Sequence, residues 1–177
     1  MRKLSNDELN RLTIEQYKDI EKYNFAIVLD NVRSMYNVGS VFRTADAFRC
    51  EKIFLCGITG KPPHKEIYKT ALGATQSVQW EYFKKTEQAI NLLKQKGYII
   101  TAIEQTEQSI ELQDFTPLRN QKYAFVFGHE VKGVAQNIVD MCDMAIEIPQ
   151  FGTKHSLNIS VSAGIIIWDF ITKTLFN

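Results

Sequence analysis

Three short segments of the chain combine polar side chains with glycine in patterns that could support chemistry. In the first, NVGSVFRTADAF (37–48), Arg43 follows Gly39 by four residues and shares its face on a predicted helix. Asn37 is expected to be the N-cap of this helix, where free N–H groups favour an anion. Arg43 is therefore expected to lie over an empty notch at Gly39 that fits a phosphate. The alternative is that Arg43 pairs with Asp46 on a solvated face and that Gly39 only allows close packing.

The second segment, FGHEVKGV, follows an apolar run that predicts a strand. Gly128 stands at the end of this strand, and a glycine there lets a ligand approach the backbone closely. Glu130 is the acidic candidate of the segment. The spacing to Gly133 is that of a P-loop, but Val134 occupies the position of the required lysine, and the chain contains no G-x-G-x-x-G. Both common nucleotide-binding fingerprints are therefore missing.

The third segment, IPQFGTKHSLNISVSAGIII, joins a predicted strand to the last helix. Pro149 and Gly152 turn the chain, and Ser156 is expected to cap the helix, a role that would suffice to explain it. Asn158 is different, because it places a strongly hydrogen-bonding side chain in the first turn of a largely apolar helix. It needs polar partners, which a ligand or backbone groups would supply.

The elements that must position these segments alternate between apolar runs and helical patterns. A leading helix with a Ser5–Glu8 capping box is predicted over Ser5 to Tyr23. Strands are predicted at 25–29, 52–56, 77–83, 98–103, 123–127 and 144–148, and further helices at 37–48, at 86–96, from 134 and over 156–175. Continuous apolar strands separated by helices favour an α/β fold with a mainly parallel sheet covered on both faces. The segment 57–76 is expected to be a long, exposed, functional loop.

Composition is that of an ordinary globular protein of one domain. The 177 residues include 45% apolar and 23% charged residues, with a net charge of +1. Without a C-x-x-C pair, the three cysteines are expected to be free thiols rather than disulfide or zinc ligands. The polar N-terminus and short apolar runs predict a cytoplasmic protein without a membrane span. Basic residues form two clusters: Arg33, Arg43 and Arg49, and Lys61, His64, Lys65 and Lys69. Clusters of this kind occur on RNA-binding surfaces and on ordinary solvated surfaces alike.

Together, the three segments resemble the three motifs of the SpoU (TrmH-like) RNA ribose 2′-O-methyltransferases, within the SPOUT superfamily. The matching stretches are Asn37-x-Gly39-x-x-x-Arg43, FGHE followed by Gly133, and IP followed by Gly152 and Ser156-Leu157-Asn158. The resemblance extends from about Phe25 to the C-terminus, and three motifs in order are far more specific than one. The sequence departs from the family at His129, where asparagine is commoner, and this departure concerns local hydrogen bonding.

The resemblance implies an enzyme that transfers a methyl group from S-adenosylmethionine to a ribose 2′-hydroxyl in tRNA or rRNA. It also implies a homodimer, no metal, and a C-terminal trefoil knot that binds the cofactor. Residues 1–24 would be an N-terminal helical extension and residues 25–177 the SPOUT methyltransferase domain. The implied catalytic residues are Asn37, Arg43, Glu130, Ser156 and Asn158. The implied cofactor-binding residues are Ile103, Gly128, Ile148, Ser156 and Leu157.

Within this resemblance, two roles for Arg43 remain open. The family assignment makes the arginine a base, but a guanidinium with a pKa above about 12 keeps its proton, which favours a bidentate phosphate clamp. Only about two dozen residues precede the first strand, so the catalytic domain and its Lys-rich segment are expected to recognise the RNA, which favours tRNA over rRNA. A rival hypothesis is a non-catalytic RNA-binding or assembly module on the same fold. The missing glycine fingerprint disfavours a nicotinamide- or nucleotide-dependent enzyme.

Overall fold

A parallel sheet covered by helices forms the centre of the molecule, which confirms the expected α/β class. The computed structural model describes residues 1–5 and 7–176, and these form seven strands. The strands are β1 (Tyr23–Asp30), β2 (Cys50–Cys56), β3 (Trp80–Phe83), β4 (Tyr98–Ile103), β5 (Ile110–Glu111), β6 (Lys122–Phe127) and β7 (Met144–Glu147). Their order across the sheet is β3-β2-β1-β6-β4-β7-β5, and each neighbouring pair is parallel. β7 therefore lies between β4 and β5, which are consecutive in the sequence.

The helices connect these strands and pack on the sheet. They are α1 (Ile14–Asp19), α2 (Met35–Ala47), α3 (Lys65–Ala71), α4 (Ala74–Ser77), α5 (Thr86–Gln95), α6 (Gln136–Val139) and α7 (Ile159–Leu175). Short 3₁₀ turns lie at Asp7–Leu9 and Leu112–Asp114. In the described part of the chain, no helix combines the length and hydropathy needed to cross a bilayer.

Two hydrophobic cores lie on the two faces of the sheet, and β1 contributes to both. Phe25, Ile27 and Leu29 are fully buried with residues of α2 and α7, whereas Ala26 and Val28 are fully buried with residues of α5 and α6. This alternation is the side-chain period of a strand with both faces covered. Full burial of a large apolar side chain contributes about 1.5–3 kcal/mol, so the two cores fix the strand ends relative to one another.

An aromatic cluster holds α7 against the sheet. The ring of Phe170 lies 5.7 Å from Phe25, 5.5 Å from Tyr123 and 5.3 Å from Phe125, each in an edge-to-face arrangement. These contacts fix the direction of α7 and therefore the position of its N-terminus, where the third polar segment ends.

The leading helix predicted over Ser5 to Tyr23 is wrong in extent. Glu8 does reach back to the N–H of Ser5, at 2.7 Å, but the turn that follows is a short 3₁₀ helix. The regular helix, α1, begins after Thr13, which forms its own capping box with Gln16. Leu9 and Leu12 remain exposed, and a helix without a packed apolar face is only marginally stable.

The segment 57–76 is also corrected, because it contains α3 and α4 rather than a long loop. Ile67 and Ala71, four residues apart, are buried against α2, which is the packing that stabilises a short helix. Ser77 completes α4, so the strand predicted from residue 77 begins only at Trp80. The helix predicted from Val134 begins at Gln136.

The cysteines are free thiols, as expected. Cys50 and Cys56 are buried and Cys142 is half-buried. Burial raises the pKa of all three thiols, to about 12 for Cys56 and about 11 for Cys142. They are therefore protonated at neutral pH and suited to packing rather than to nucleophilic chemistry.

Candidate functional site

A cavity of about 500 Å³ opens at the carboxyl ends of β4, β6 and β7. This is the edge of a parallel sheet at which ligands usually bind, and the volume is typical of a small-molecule or cofactor site. The five predicted cofactor-binding residues all line it: Ile103, Gly128, Ile148, Ser156 and Leu157. They come from three separate chain segments that the fold brings together.

One wall of the cavity is a tight loop after β6. The backbones of His129 and Gly133 exchange two hydrogen bonds, of 3.0 and 2.8 Å, which close the loop. A Cβ on Gly128 would lie 2.1 Å from the backbone of Gly133 and Val134. Only glycine at position 128 therefore allows the end of β6 to lie this close to the loop. Gly133 itself has φ +68°, in the left-handed region that favours glycine. The two glycines of the second segment therefore shape the wall.

Two residues directly after β4, Glu104 and Gln105, were missed in the sequence analysis. They form hydrogen bonds to this loop and to the opposite wall of the cavity. Glu104 accepts a hydrogen bond from the N–H of Val134 at 2.9 Å, and Gln105 donates from its amide to the carbonyl of His155 at 3.1 Å. Both line the cavity. The available signal was their position, since they are polar residues directly after a buried parallel strand.

Glu130 is bound to the start of α2 by three hydrogen bonds. Its carboxylate accepts from the N–H of Ser34 at 2.8 Å, from the N–H of Arg33 at 3.1 Å and from the Asn37 amide at 3.1 Å. Partial burial opposes ionisation, but the hydrogen bonds from Ser34, Arg33 and Asn37 outweigh it and hold the pKa of Glu130 below its usual value. Glu130 is therefore an ionised group that satisfies free N–H groups at a helix N-terminus.

Asn37 and Asn158 extend this contact into a network that joins all three polar segments. The amide of Asn158 donates to the side-chain oxygen of Asn37 at 3.1 Å, while Asn37 donates to Glu130. Asn37 is only 9% exposed, so the NH₂ group and the oxygen of its side-chain amide both need these hydrogen-bond partners. We refer to Asn37, Glu130 and Asn158 as the polar junction.

Two predicted helix caps are wrong. Ser34 is the N-cap of α2, with its hydroxyl accepting from the N–H of Asn37 at 3.3 Å, so Asn37 lies in the first turn. Asn158 is the N-cap of α7, accepting from the N–H of Ser160 at 2.9 Å, and Ser156 lies outside the helix as an exposed residue of the cavity wall. Asn158 meets its need for polar partners through this cap and through Asn37.

The predicted notch over Gly39 is not empty. A Cβ on Gly39 would lie 2.1 Å from the hydroxyl of Thr70 and 2.3 Å from the carbonyl of Ile67, so α3 fills this space. Gly39 therefore serves close helix packing, the alternative raised by the sequence. Asp46 does not pair with Arg43 in the described residues and accepts instead from the hydroxyl of Ser77.

The structure brings together four of the five predicted catalytic residues. Glu130, Ser156 and Asn158 line the cavity, and Asn37 contacts two of them. Arg43 is exposed two turns further along α2 and does not line the cavity of its own chain. No cluster of His, Cys, Asp and Glu side chains suited to a metal ion is present in residues 1–5 and 7–176.

The sequence and fold match those of known RNA-modifying proteins. The model of the SpoU rRNA Methylase family matches residues 24–168. A tRNA (guanosine(18)-2′-O)-methyltransferase of Borreliella burgdorferi is 27% identical over 171 residues, covering 97% of this chain and 76% of that protein. An uncharacterized tRNA/rRNA methyltransferase of the same species is 31% identical over 158 residues, covering 88% and 67%.

Solved structures agree with the sequence comparisons. The crystal structure of the A. aeolicus TrmH/SpoU tRNA modifying enzyme superposes with a TM-score of 0.78 at 26% identity, covering 90% of this chain and 79% of that one. Curated relatives from staphylococci are longer, and this chain spans 63% of the length of the one from Staphylococcus haemolyticus. The family resemblance of the three motifs is thereby confirmed.

Proposed function

Because this chain belongs to the SpoU rRNA methylase family, we propose that it transfers a methyl group from S-adenosylmethionine to a ribose 2′-hydroxyl of tRNA or rRNA. The observation that carries the proposal is the polar junction, in which Asn158 contacts Asn37 and Asn37 contacts Glu130 at the rim of one cavity. Three segments far apart in the sequence meet there, as a shared catalytic centre requires.

The lining of the cavity fits S-adenosylmethionine. Ile103, Ile148 and Leu157 provide apolar surface suited to a purine ring, and the carboxylates of Glu104 and Glu147 lie on the same lining, where they suit a cationic ligand. We assign the binding of the cofactor to these residues together with Gly128 and Ser156. When bound, S-adenosylmethionine would supply an electrophilic methyl group: its S–CH₃ bond would break as the O–C bond forms, S-adenosylhomocysteine would leave, and the hydroxyl proton would pass to solvent water.

The side chains of the polar junction position the reaction centre. Glu130 is occupied by three donors, so its part is to hold the first turn of α2 rather than to remove the hydroxyl proton. Asn37 and Asn158 connect that turn to the start of α7. Arg43 acts as a bidentate phosphate clamp that orients the ribose, and such positioning can contribute several kcal/mol.

A homodimer completes this proposal. Val161, Trp168 and Leu175 of α7 are 49%, 54% and 43% exposed and recur at seven-residue spacing, so they form an apolar stripe on one face. A second copy of the chain is the partner we propose for it. Trp168 contacts Phe48 at the end of α2, at a ring distance of 5.9 Å, so the stripe lies next to the helix that carries Arg43. Dimerisation would then bring Arg43 to the cavity of the partner.

Four further parts of the expectation stay proposals. The position of β7 supports the trefoil knot. β4 and β5 are consecutive in the sequence, yet β7, which comes later in the chain, lies between them in the sheet. We place the methyltransferase domain at residues 25–177, with residues 1–24 as an N-terminal helical extension. We also propose tRNA rather than rRNA as the substrate, and the cytoplasm as the location.

The decisive assay mixes the protein with methyl-labelled S-adenosylmethionine and bulk tRNA or rRNA, followed by digestion to nucleosides. The proposal predicts label in a 2′-O-methylated nucleoside. Label on a base would contradict it, and RNA binding without label would support the non-catalytic module instead. A thermal shift separates cofactor classes, because a ligand at 100 times its Kd stabilises by about 2.7 kcal/mol. S-adenosylhomocysteine is expected to raise the Tm, and NAD is not.

A further inference from the structure

The outer face of α3 carries cations and an aromatic ring. Lys65, Tyr68, Lys69 and Leu72 follow the spacing of one helical face, and all four are exposed. The opposite face carries Ile67, which is fully buried in the core under α2. We call Lys65, Tyr68 and Lys69 the α3 surface.

No salt bridge among residues 1–5 and 7–176 neutralises the charges of this surface. Neither Lys65 nor Lys69 forms an ion pair in the described residues. The acidic residue of the helix, Glu66, is half-buried in the first turn, where the helix dipole favours a negative charge. Lys61 is exposed just before α3, with its ammonium group 4.0 Å from the ring of Tyr82. The surface is therefore locally positive although the whole chain is nearly neutral.

Packing links the α3 surface rigidly to the cavity. The hydroxyl of Thr70 donates to the carbonyl of Tyr36 at 3.0 Å, and the backbone of α3 fills the space over Gly39. The start of α2 is in turn bound to Glu130 on the cavity rim through Ser34. Ser34 and Gly39 are five residues apart, or roughly 8 Å along a helix axis. The α3 surface and the cavity rim are therefore separated by little more than this length plus the distance between two packed helices.

We propose that the α3 surface binds single-stranded RNA next to the nucleotide that is methylated. Lys65 and Lys69 neutralise phosphates, and Tyr68, 45% exposed between them, stacks on a base. This assignment rests on the proposed function, because it names the part of the chain that holds the RNA substrate of the same site. Because the surface is fixed relative to the cavity, it would set which nucleotide reaches the methyl group.

The test removes the two charges and measures affinity for bulk tRNA at several salt concentrations. For Lys65→Gln with Lys69→Gln we expect the slope of log K against log[salt] to fall by up to about 1.4, since each phosphate contact on a single strand contributes about 0.7. If the two proteins bind equally at 1 M salt, this change of slope corresponds to a roughly 25-fold loss of affinity at 0.1 M salt. The matched control is Lys84→Gln with Lys96→Gln, which removes two exposed charges beside α5 on the other face of the sheet.

The aromatic contribution is tested separately. Tyr68→Ala is expected to weaken tRNA binding roughly tenfold without changing the salt slope, because stacking contributes about 1–3 kcal/mol per base, and Tyr68→Phe is expected to restore it. The surface assignment is refuted if the lysine variant and its control have equal affinities and slopes. Binding of S-adenosylhomocysteine and the thermal melt of each variant are expected to equal wild type. If wild-type protein bound tRNA through α3 but transferred no methyl group, only the proposed function would fail.

Discussion

Glu130→Gln tests whether the ionised carboxylate holds the start of α2. A glutamine can direct its carbonyl oxygen to Ser34 and Asn37, but its NH₂ group then faces the N–H of Arg33, and that hydrogen bond is lost. A hydrogen bond to a charged group contributes about 1.5–3 kcal/mol. The lost negative charge at the N-terminus of α2 adds about 0.3–1 kcal/mol. Because Glu130 is only half-buried, water relieves part of this cost, and we expect a loss of about 2 kcal/mol.

The assay is equilibrium unfolding in urea as a function of pH. Folding lowers the pKa of Glu130, so its stabilisation is present above the unfolded pKa, near 4.3, and is lost as the pH falls through the folded pKa. The difference between wild type and Glu130→Gln is therefore expected to be about 2 kcal/mol at pH 7, or about 4–8 °C in Tm, and to shrink below roughly pH 4.

Glu107→Gln is the control for a change of charge alone, because Glu107 is exposed and its side chain lies outside the polar junction. Its cost is expected to stay within about 0.5 kcal/mol. Equal stability of Glu130→Gln and wild type at pH 7, or a difference that does not change as the carboxylate protonates, would show that the ionised carboxylate does not hold the start of α2.

Three further variants probe other parts of the site. Asn158→Asp keeps an oxygen to cap α7 but cannot donate to Asn37, so we expect stability within about 1 kcal/mol of wild type and loss of methyl transfer in the labelled assay. Gly128→Ala places a Cβ 2.1 Å from the opposite loop, and calorimetry is expected to show loss of S-adenosylhomocysteine binding while tRNA binding persists. Trp168→Glu puts a charge in the apolar stripe, and light scattering is expected to show a monomer without transferase activity. A variant that kept the property it is expected to lose would count against its part of the account.

The sequence was informative where one physical pattern dominated. The core strands are continuous apolar runs, such as Phe25 to Leu29, and this pattern identifies strands buried on both faces. The second polar segment was identified because Gly128 follows a predicted parallel strand, at the edge of the sheet where ligands bind. Ile103, Gly128 and Leu157 meet there in the structure.

Local patterns failed where tertiary contacts decided the outcome. Asn37 is a good N-cap by type, but its amide bonds Glu130 and Asn158 instead, and both partners are more than 90 residues away in the chain. The segment 57–76 contains glycine and proline, yet Ile67 finds a buried position against α2. Neither the fit of α3 over Gly39 nor the place of β7 between two earlier strands can be derived from periodicity.

In the proposed function, the cavity holds the methyl donor and the guanidinium of Arg43 lies beside it. A crystal structure of the protein with S-adenosylhomocysteine tests this most directly. We expect the ligand between Gly128 and Leu157, with Arg43 of this chain or of the proposed second copy within a few ångströms of the ligand's sulfur. A ligand bound elsewhere, or an Arg43 that lies tens of ångströms from the cavity in both subunits, would contradict it.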